Sequence, residues 1–194
     1  MLNPQQLAAV EYCDSPLLVL AGAGSGKTSV ITHKIAYLVG RKHLAPAHIA
    51  AITFTNKAAR EMRERVGRLL DAEVAQALTI STFHALGLKF LQIEHERAGL
   101  RPGFSVLDAD DSGAIIKDLA PKGAKPDVLR DLQHLLGRAK NAGLTPAEAQ
   151  AAAGSGRERE AAEIFQAYQQ RLLAFNAVDF DDLIGLPLRT LEAD

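Results

Sequence analysis

Apolar and polar positions change their spacing along this chain, and the changes mark its organisation. LNPQQ at 2–6 leads into Leu7, Ala8, Val10 and Tyr12, the pattern of a short helix that Asp14-Ser15-Pro16 breaks. LLVL at 17–20 is continuously apolar, as a buried strand is, and a glycine-rich turn follows it. Val30, Ile31, Ile35, Leu38 and Val39 then mark one face of a helix that stops at Gly40. A second buried strand is predicted over 49–54, and Thr55-Asn56 can cap the next helix. That helix places Ala59, Met62, Val66 and Leu69 inward and Lys57, Arg60, Arg63, Arg65 and Arg68 largely outward. A third strand, 78–82, runs into Phe83-His84 and a helical pattern through Leu86, Phe90 and Ile93. Strand alternating with helix predicts an α/β fold with a parallel sheet.

From about Arg97 the alternation gives way to helix after helix. Asp108 can cap a helix with Asp110 and Asp111 in its first turn and Ile115, Ile116 and Leu119 inward. Leu129, Leu132, Leu135 and Leu136 mark the next, which stops at Asn141-Ala142-Gly143. Thr145-Pro146-Ala147-Glu148 is a capping box with proline at the first helical position. A long helix from about Arg157 carries Ala161, Phe165, Tyr168, Leu172 and Phe175 on one stripe, a packing face. The segment VDFDDLIGLPLRTLEAD opens with Asp179 as a cap and Asp181-Asp182 in a first turn. Three carboxylates at a helix start read as caps before they read as a metal site, and Pro187 is expected to kink or end the helix. This second region reads as an all-helical subdomain inserted into or appended to the sheet domain, with no internal repeat.

The glycine-rich turn carries the chemistry. In AGAGSGKT at 21–28, Gly22, Gly24 and Gly26 permit positive φ and let backbone N–H groups approach a polyphosphate. A helix beginning near Gly26 aims its positive end at the same anion, Lys27 reaches the β/γ-phosphates and Thr28 offers a hydroxyl to Mg²⁺. Ala21 stands where the strict pattern has glycine. The bland alternative is a strand-to-helix turn with an incidental lysine. In an open parallel sheet, ligands sit beyond the C-terminal ends of the strands. The tips after the second and third strands are therefore candidate polyanion contacts. Thr55, Asn56 and Thr82 can bond phosphates, and Phe54 or Phe83 can stack on bases. Taken alone, each phenylalanine reads first as core and His84 as a structural hydrogen-bonding residue.

Composition narrows the classes. With 47% apolar residues in 194 the chain can pack a core, and no apolar run approaches the roughly 20 residues of a membrane span. The lone Cys13 cannot form an intrachain disulfide, which points to a reducing cytoplasm. Net charge is -1, but residues 15–60 hold no acid against Lys27, Lys34, Arg41, Lys42, Lys57 and Arg60. Positive potential therefore collects around the phosphate loop and favours nucleotide, alone or with nucleic acid. A phosphoryl-transfer ATPase also needs a strand-end Asp for Mg²⁺. The nearest match, Asp108 after FSVL, is followed by Ala109 and already explained as a cap.

LNPQQ at 2–6, AGAGSGKT at 21–28, AITFTNKAAREMRERV at 51–66, TISTFHALG at 79–87 and DFDDLI at 179–184 together resemble the N-terminal part of superfamily 1 DNA helicases of the Rep/UvrD/PcrA group. The resemblance implies a RecA-like P-loop motor domain with helices on both faces of a parallel sheet. In that scheme 1–86 is the first part of domain 1A, 87–176 the helical insertion 1B, and 177–194 the return into 1A, before the Walker B strand. It assigns ATP to Gln6, which reads adenine, and to Ala21, Gly22, Ala23, Gly24, Ser25, Gly26, Lys27, Thr28 and Ser29, the last standing where relatives commonly carry Arg. Lys27 and Thr28 are the catalytic pair, with Thr28 on Mg²⁺. Single-stranded DNA falls to Phe54, Thr55, Asn56, Lys57, Arg60, Thr82, Phe83 and His84. Similar enzymes move 3′ to 5′ on one strand of a 3′-tailed duplex, in replication or repair, as monomers or weak dimers with replication or repair proteins as partners. Because 1–194 lacks the family's Asp-Glu strand, second motor domain and arginine fingers, negligible ATPase and no unwinding are expected of it alone. Two other classes remain: a P-loop small-molecule kinase, which needs Asp108 as a metal ligand on a strand, and a non-catalytic single-strand-binding module, which binds without ATP.

Overall fold

The computed structural model describes residues 2–193, and the chain divides into two compact units, Met1–Phe83 and His84–Asp194. In the first, Asn3 caps helix α1 (Pro4–Glu11) in a capping box with Gln6, with Pro4 at the first helical position. Helix α2 (Lys27–Gly40) starts from Gly26, whose φ of 81° only glycine adopts without strain. A 3₁₀ turn (Pro46–His48) feeds strand β1 (Ala50–Thr53), Thr55 caps α3 (Asn56–Leu69) and Asp71 caps the short α4 (Ala72–Ala77). Strand β2 (Thr79–Thr82) pairs in parallel with β1, from Ala50 opposite Thr79 to Thr53 opposite Thr82. The core of this unit is Ile35, Ile49, Ala51, Ala59, Met62, Val66, Leu78 and Ile80, in which α2 and α3 cover β1 and β2.

Three expectations change here. The run 17–20 forms no ladder, and Leu18 and Leu20 are 81% and 86% exposed. Its residues are those of a buried strand, but a strand needs a neighbour for its N–H and C=O groups, and no described segment pairs with it. Leu69 is exposed because α3 ends there and the chain turns away toward α4. Ile31, expected on the inner face of α2, is 42% exposed, whereas Arg63 is exposed as expected while its guanidinium donates to the Ile80 carbonyl and ties α3 to β2.

In the second unit, α5 (Phe83–Ile93) begins at the boundary, and β3 (Ser105–Val106) pairs in parallel with β4 (Ala177–Val178). Between them lie α6 (Ala109–Leu119), α7 (Pro126–Asn141), α8 (Pro146–Ala152) and α9 (Gly156–Phe175); α10 (Asp182–Glu192) follows. The caps expected at Asp108 and Thr145 both form, each as a reciprocal capping box. Ile116, Leu132, Leu136, Phe165, Tyr168 and Leu172 make the main core. Phe175 is exposed instead of inward, because α9 ends with it and Asn176 takes the left-handed conformation. The Asn176 side chain clamps Arg101, accepting from its N–H at 2.8 Å and donating to its carbonyl at 3.2 Å, which sets β4 beside β3.

The inner face of α5 also differs. Gly87 and Leu91 are buried, while Ile93 is exposed. A Cβ on Gly87 would lie 1.7 Å from the Leu183 carbonyl oxygen, so the missing side chain lets α5 press on the backbone of α10. Pro187 lies inside α10 and does not end it. Proline cannot donate to the carbonyl four residues back, which is that of Leu183, and Gly87 packs against this freed carbonyl.

Candidate nucleotide and nucleic-acid interface

The glycine loop lies in the first unit and is held by its own side chains. Gly24 and Gly26 have φ of 74° and 81°, whereas Gly22 has no positive φ, so two of the three glycines take the conformation expected of all. Ser25 Oγ donates to the Gly22 carbonyl at 2.7 Å, and Lys27 Nζ donates to the carbonyls of Ala21 and Gly22 at 3.0 and 2.6 Å. Lys27 and Thr28 are exposed, and no side chain caps α2, whose first-turn amides also lack intrahelical partners. The helix end therefore presents positive partial charge, backbone donors and an ammonium to the same open space. Such a helix end suits an anion, and a Cβ on Gly24 would meet nothing within 4 Å. Ala23 is exposed at the loop's crest. The Ser29 hydroxyl lies 3.4 Å from His33 Nδ1, one turn further along α2.

Gln6 braces the loop from α1. Its Nε2 donates to the Ser25 carbonyl at 3.0 Å while its Oε1 accepts the Asn3 N–H at 2.9 Å. A Cβ on Gly26 would stand 3.0 Å from that Nε2, so Gly26 supplies the left-handed turn and the room for Gln6 together. Lys34, which the sequence offered only as charge, donates to the Ala9 and Tyr12 carbonyls and closes the C-terminal end of α1 on α2. Between α1, α2 and the unpaired run lies a mostly apolar cavity of about 490 Å³, lined by Leu17, Val19, Val30 and Ile31, with Lys27 at its edge.

The tips of β1 and β2 are also in the first unit. Phe54 is 91% and Phe83 51% exposed, their ring centroids 6.3 Å apart and their planes 54° from parallel. Neither is the core residue that its type alone suggests. Thr55 spends its hydroxyl on the Ala58 N–H at 3.1 Å, and Asn56, Lys57 and Arg60 are exposed on the first turns of α3. Thr82 is buried at the end of β2 and has a partner of its own. The surface thus offers two aromatic faces and two cations around a helix N-terminus, which suits a phosphate-linked chain of bases.

His84 belongs to the second unit, where its ring lies 4.4 Å from that of Phe180, at 34° between planes. Around Phe180 is a network that the sequence did not disclose. Lys140 Nζ bonds Asp179 Oδ2 at 2.6 Å and reaches Asp182 Oδ1 at 2.9 Å, close enough for an ion pair but off the geometry of a hydrogen bond. Tyr168 donates its hydroxyl to Asp179 Oδ2 at 3.0 Å, and the Asp182 N–H donates to Asp179 Oδ1 at 3.0 Å, so Asp179 bonds the first residue of α10, although the cap position falls to Asp181, which makes no side-chain cap bond. Burial, then the Asp179 charge, pushes the Tyr168 phenol far above its usual value and keeps it a donor. The spacing Leu132, Leu136, Lys140 puts Lys140 on the buried face of α7, and that was the available signal. Asp108 donates nothing to a metal-bearing strand; its Oδ1 accepts the N–H groups of Asp110 and Asp111, both at 2.9 Å.

Comparison with known proteins agrees with this geometry. The family model described as UvrD/REP helicase N-terminal domain matches residues 2–194. The chain is 47% identical to the ATP-dependent DNA helicase Rep of Salmonella typhimurium, over 98% of this chain and 29% of the relative. Rep of Escherichia coli matches at the same identity and coverage, and the ATP-dependent DNA helicase PcrA of Bacillus subtilis at 44%, over 98% of this chain and 26% of the relative. The chain therefore spans less than a third of the length of these relatives. Among the described residues no helix is long and apolar enough to cross a membrane. The chain belongs to the UvrD/REP helicase N-terminal domain family.

Proposed function

We propose that this chain is the nucleotide- and single-strand-engaging N-terminal part of a cytoplasmic ATP-dependent DNA helicase that moves 3′ to 5′ in replication or repair. The observation that carries the proposal is the open end of α2, where Gly24 and Gly26 turn the loop and Lys27 stands exposed beside uncapped amides. Mg²⁺-ATP supplies the phosphoanhydride whose hydrolysis drives the motor. Lys27, held by the Ala21 and Gly22 carbonyls, would turn its ammonium toward the phosphates, whose oxygens the α2 amides would bind. Thr28, one residue on, is the residue whose exposed hydroxyl would hold the metal. Gln6 connects α1 to the loop and meets the adenine.

On the same reading 1–86 and 177–194 belong to a RecA-like domain 1A and 87–176 to the insertion 1B. LLVL at 17–20 then takes its place in a sheet wider than β1 and β2, consistent with its exposed apolar side chains. Phe54, Phe83 and His84 stack on bases, and Asn56, Lys57 and Arg60 meet phosphates, with Thr55 and Thr82 shaping the two tips. The kinase alternative needs Asp108 as a metal ligand, and its carboxylate is already committed to two backbone amides. In the intact helicase, Lys27→Ala is expected to abolish DNA-stimulated ATP hydrolysis and leave the fold unchanged by circular dichroism. Retained turnover in a folded mutant would overturn the proposal, and tight single-strand binding indifferent to ATP would favour a non-catalytic module.

A further inference from the structure

Two consecutive residues at the end of α7 hold three of the four residues of the segment 179–182. Lys140, its side chain 3% exposed, lies between the carboxylates of Asp179 and Asp182, and Asn141 Nδ2 donates to Asp181 Oδ1 at 3.2 Å and to the Gly137 carbonyl at 2.9 Å. The member not held is Phe180, which is 58% exposed and stacked on His84. Asp179, immediately before it, is fixed by Lys140, by the Tyr168 hydroxyl of α9 and by the Asp182 N–H. The backbone on either side of Phe180 is therefore pinned, and its ring has one supported direction.

A buried ammonium is a poor way to gain stability, because desolvation offsets most of the attraction and apolar residues of similar volume would serve as well. What directional bonds to Asp179 and Asp181, with an ion pair to Asp182, do supply is a fixed orientation. We propose that Lys140 and Asn141 are positioning residues that fix the Phe180–His84 stack and so set how strongly it receives a base of single-stranded DNA. This rests on the DNA-binding function proposed above, and it adds residues that make no contact with DNA themselves.

The test is a mutant cycle on the folded chain, read by fluorescence anisotropy with labelled oligo-dT. Phe180→Ala is expected to weaken binding about tenfold, the loss of one stacked base. Asn141→Ala and Lys140→Met are expected to weaken binding by a smaller factor in the otherwise unaltered chain and by nothing further in the Phe180→Ala background. A role confined to stability would give losses that persist in that background, and this result would overturn the proposal. So would folded Asn141→Ala and Lys140→Met proteins that bind as the wild type does. If Lys140→Met fails to fold, the exposed Asn141 decides the matter. Phe54→Ala and Arg60→Ala separate the two levels of failure. If they weaken binding and Phe180→Ala does not, only the positioning role falls. If none of the three does, or oligo-dT does not bind at all, the DNA-binding function falls and takes this inference with it.

Discussion

At Gly87 a methyl group has nowhere to go. The nearest atoms belong to the Leu183 carbonyl, 1.7 Å from an added Cβ for the oxygen and 2.9 Å for the carbon, and both are backbone, which cannot swing aside as a side chain would. Gly87→Ala is therefore expected to destabilise the second unit by about 3 kcal/mol, the upper part of the range for overpacking, even though alanine is the better helix former. Thermal or urea denaturation measures this, and a mutant as stable as the wild type would show that the crossing of α5 and α10 is looser than described. Gly87 could be read from the sequence only as part of a motif, since nothing local says that a distant carbonyl will press on it. Gly24, Gly26 and Lys27 were legible because their spacing encodes a local backbone conformation. For Phe54 the residue type alone favoured core and only the family resemblance placed it at a surface, since residue type does not tell which side of a strand tip the rest of the protein leaves uncovered.

Among the elements, α10 shows how one segment is held by charges that its own sequence does not explain. Burial pushes the Asp182 carboxyl above its ordinary value, with Lys140 pulling it back and Asp179 pushing it up again. A carboxyl that binds its proton more tightly folded than unfolded favours the fold as pH falls through its raised folded value. The gain is complete below the unfolded value of about 4, and it is lost as pH rises. Asp182→Asn is neutral at every pH. Its stability relative to the wild type should therefore increase from acid toward neutral pH, as parallel melts would show; a constant difference, or one of opposite slope, would contradict the raised value. The three aspartates were legible as a helix start, although the cap position falls to Asp181 and Asp179 bonds the first helical amide from two residues further back. Lys140 was not, because a lysine at the end of a helix reads as a favourable charge near the last carbonyls, and only its spacing from Leu132 and Leu136 hints at burial.

At the scale of the whole molecule, the change from strand-helix alternation to consecutive helices is visible in the sequence, and so are the caps Asp108 and Thr145, whereas Ser155, which caps α9, was not singled out. Strand pairing is less so. Ala50 and Thr79 are joined by a register that neither segment contains alone, and LLVL at 17–20 has the composition of a strand with no partner among the described residues. The loop nevertheless keeps its shape, since Gln6, Ser25 and Lys27 hold it from within the first unit. The central claim, that this loop is a triphosphate cradle, is most directly tested by titrating the chain with a fluorescent ATP analogue and Mg²⁺, comparing wild type with Lys27→Ala. Saturable binding that weakens at least about tenfold in the mutant is predicted, the loss of a charge-assisted contact. Equal affinity in two folded proteins, or no binding by the wild type, would contradict it.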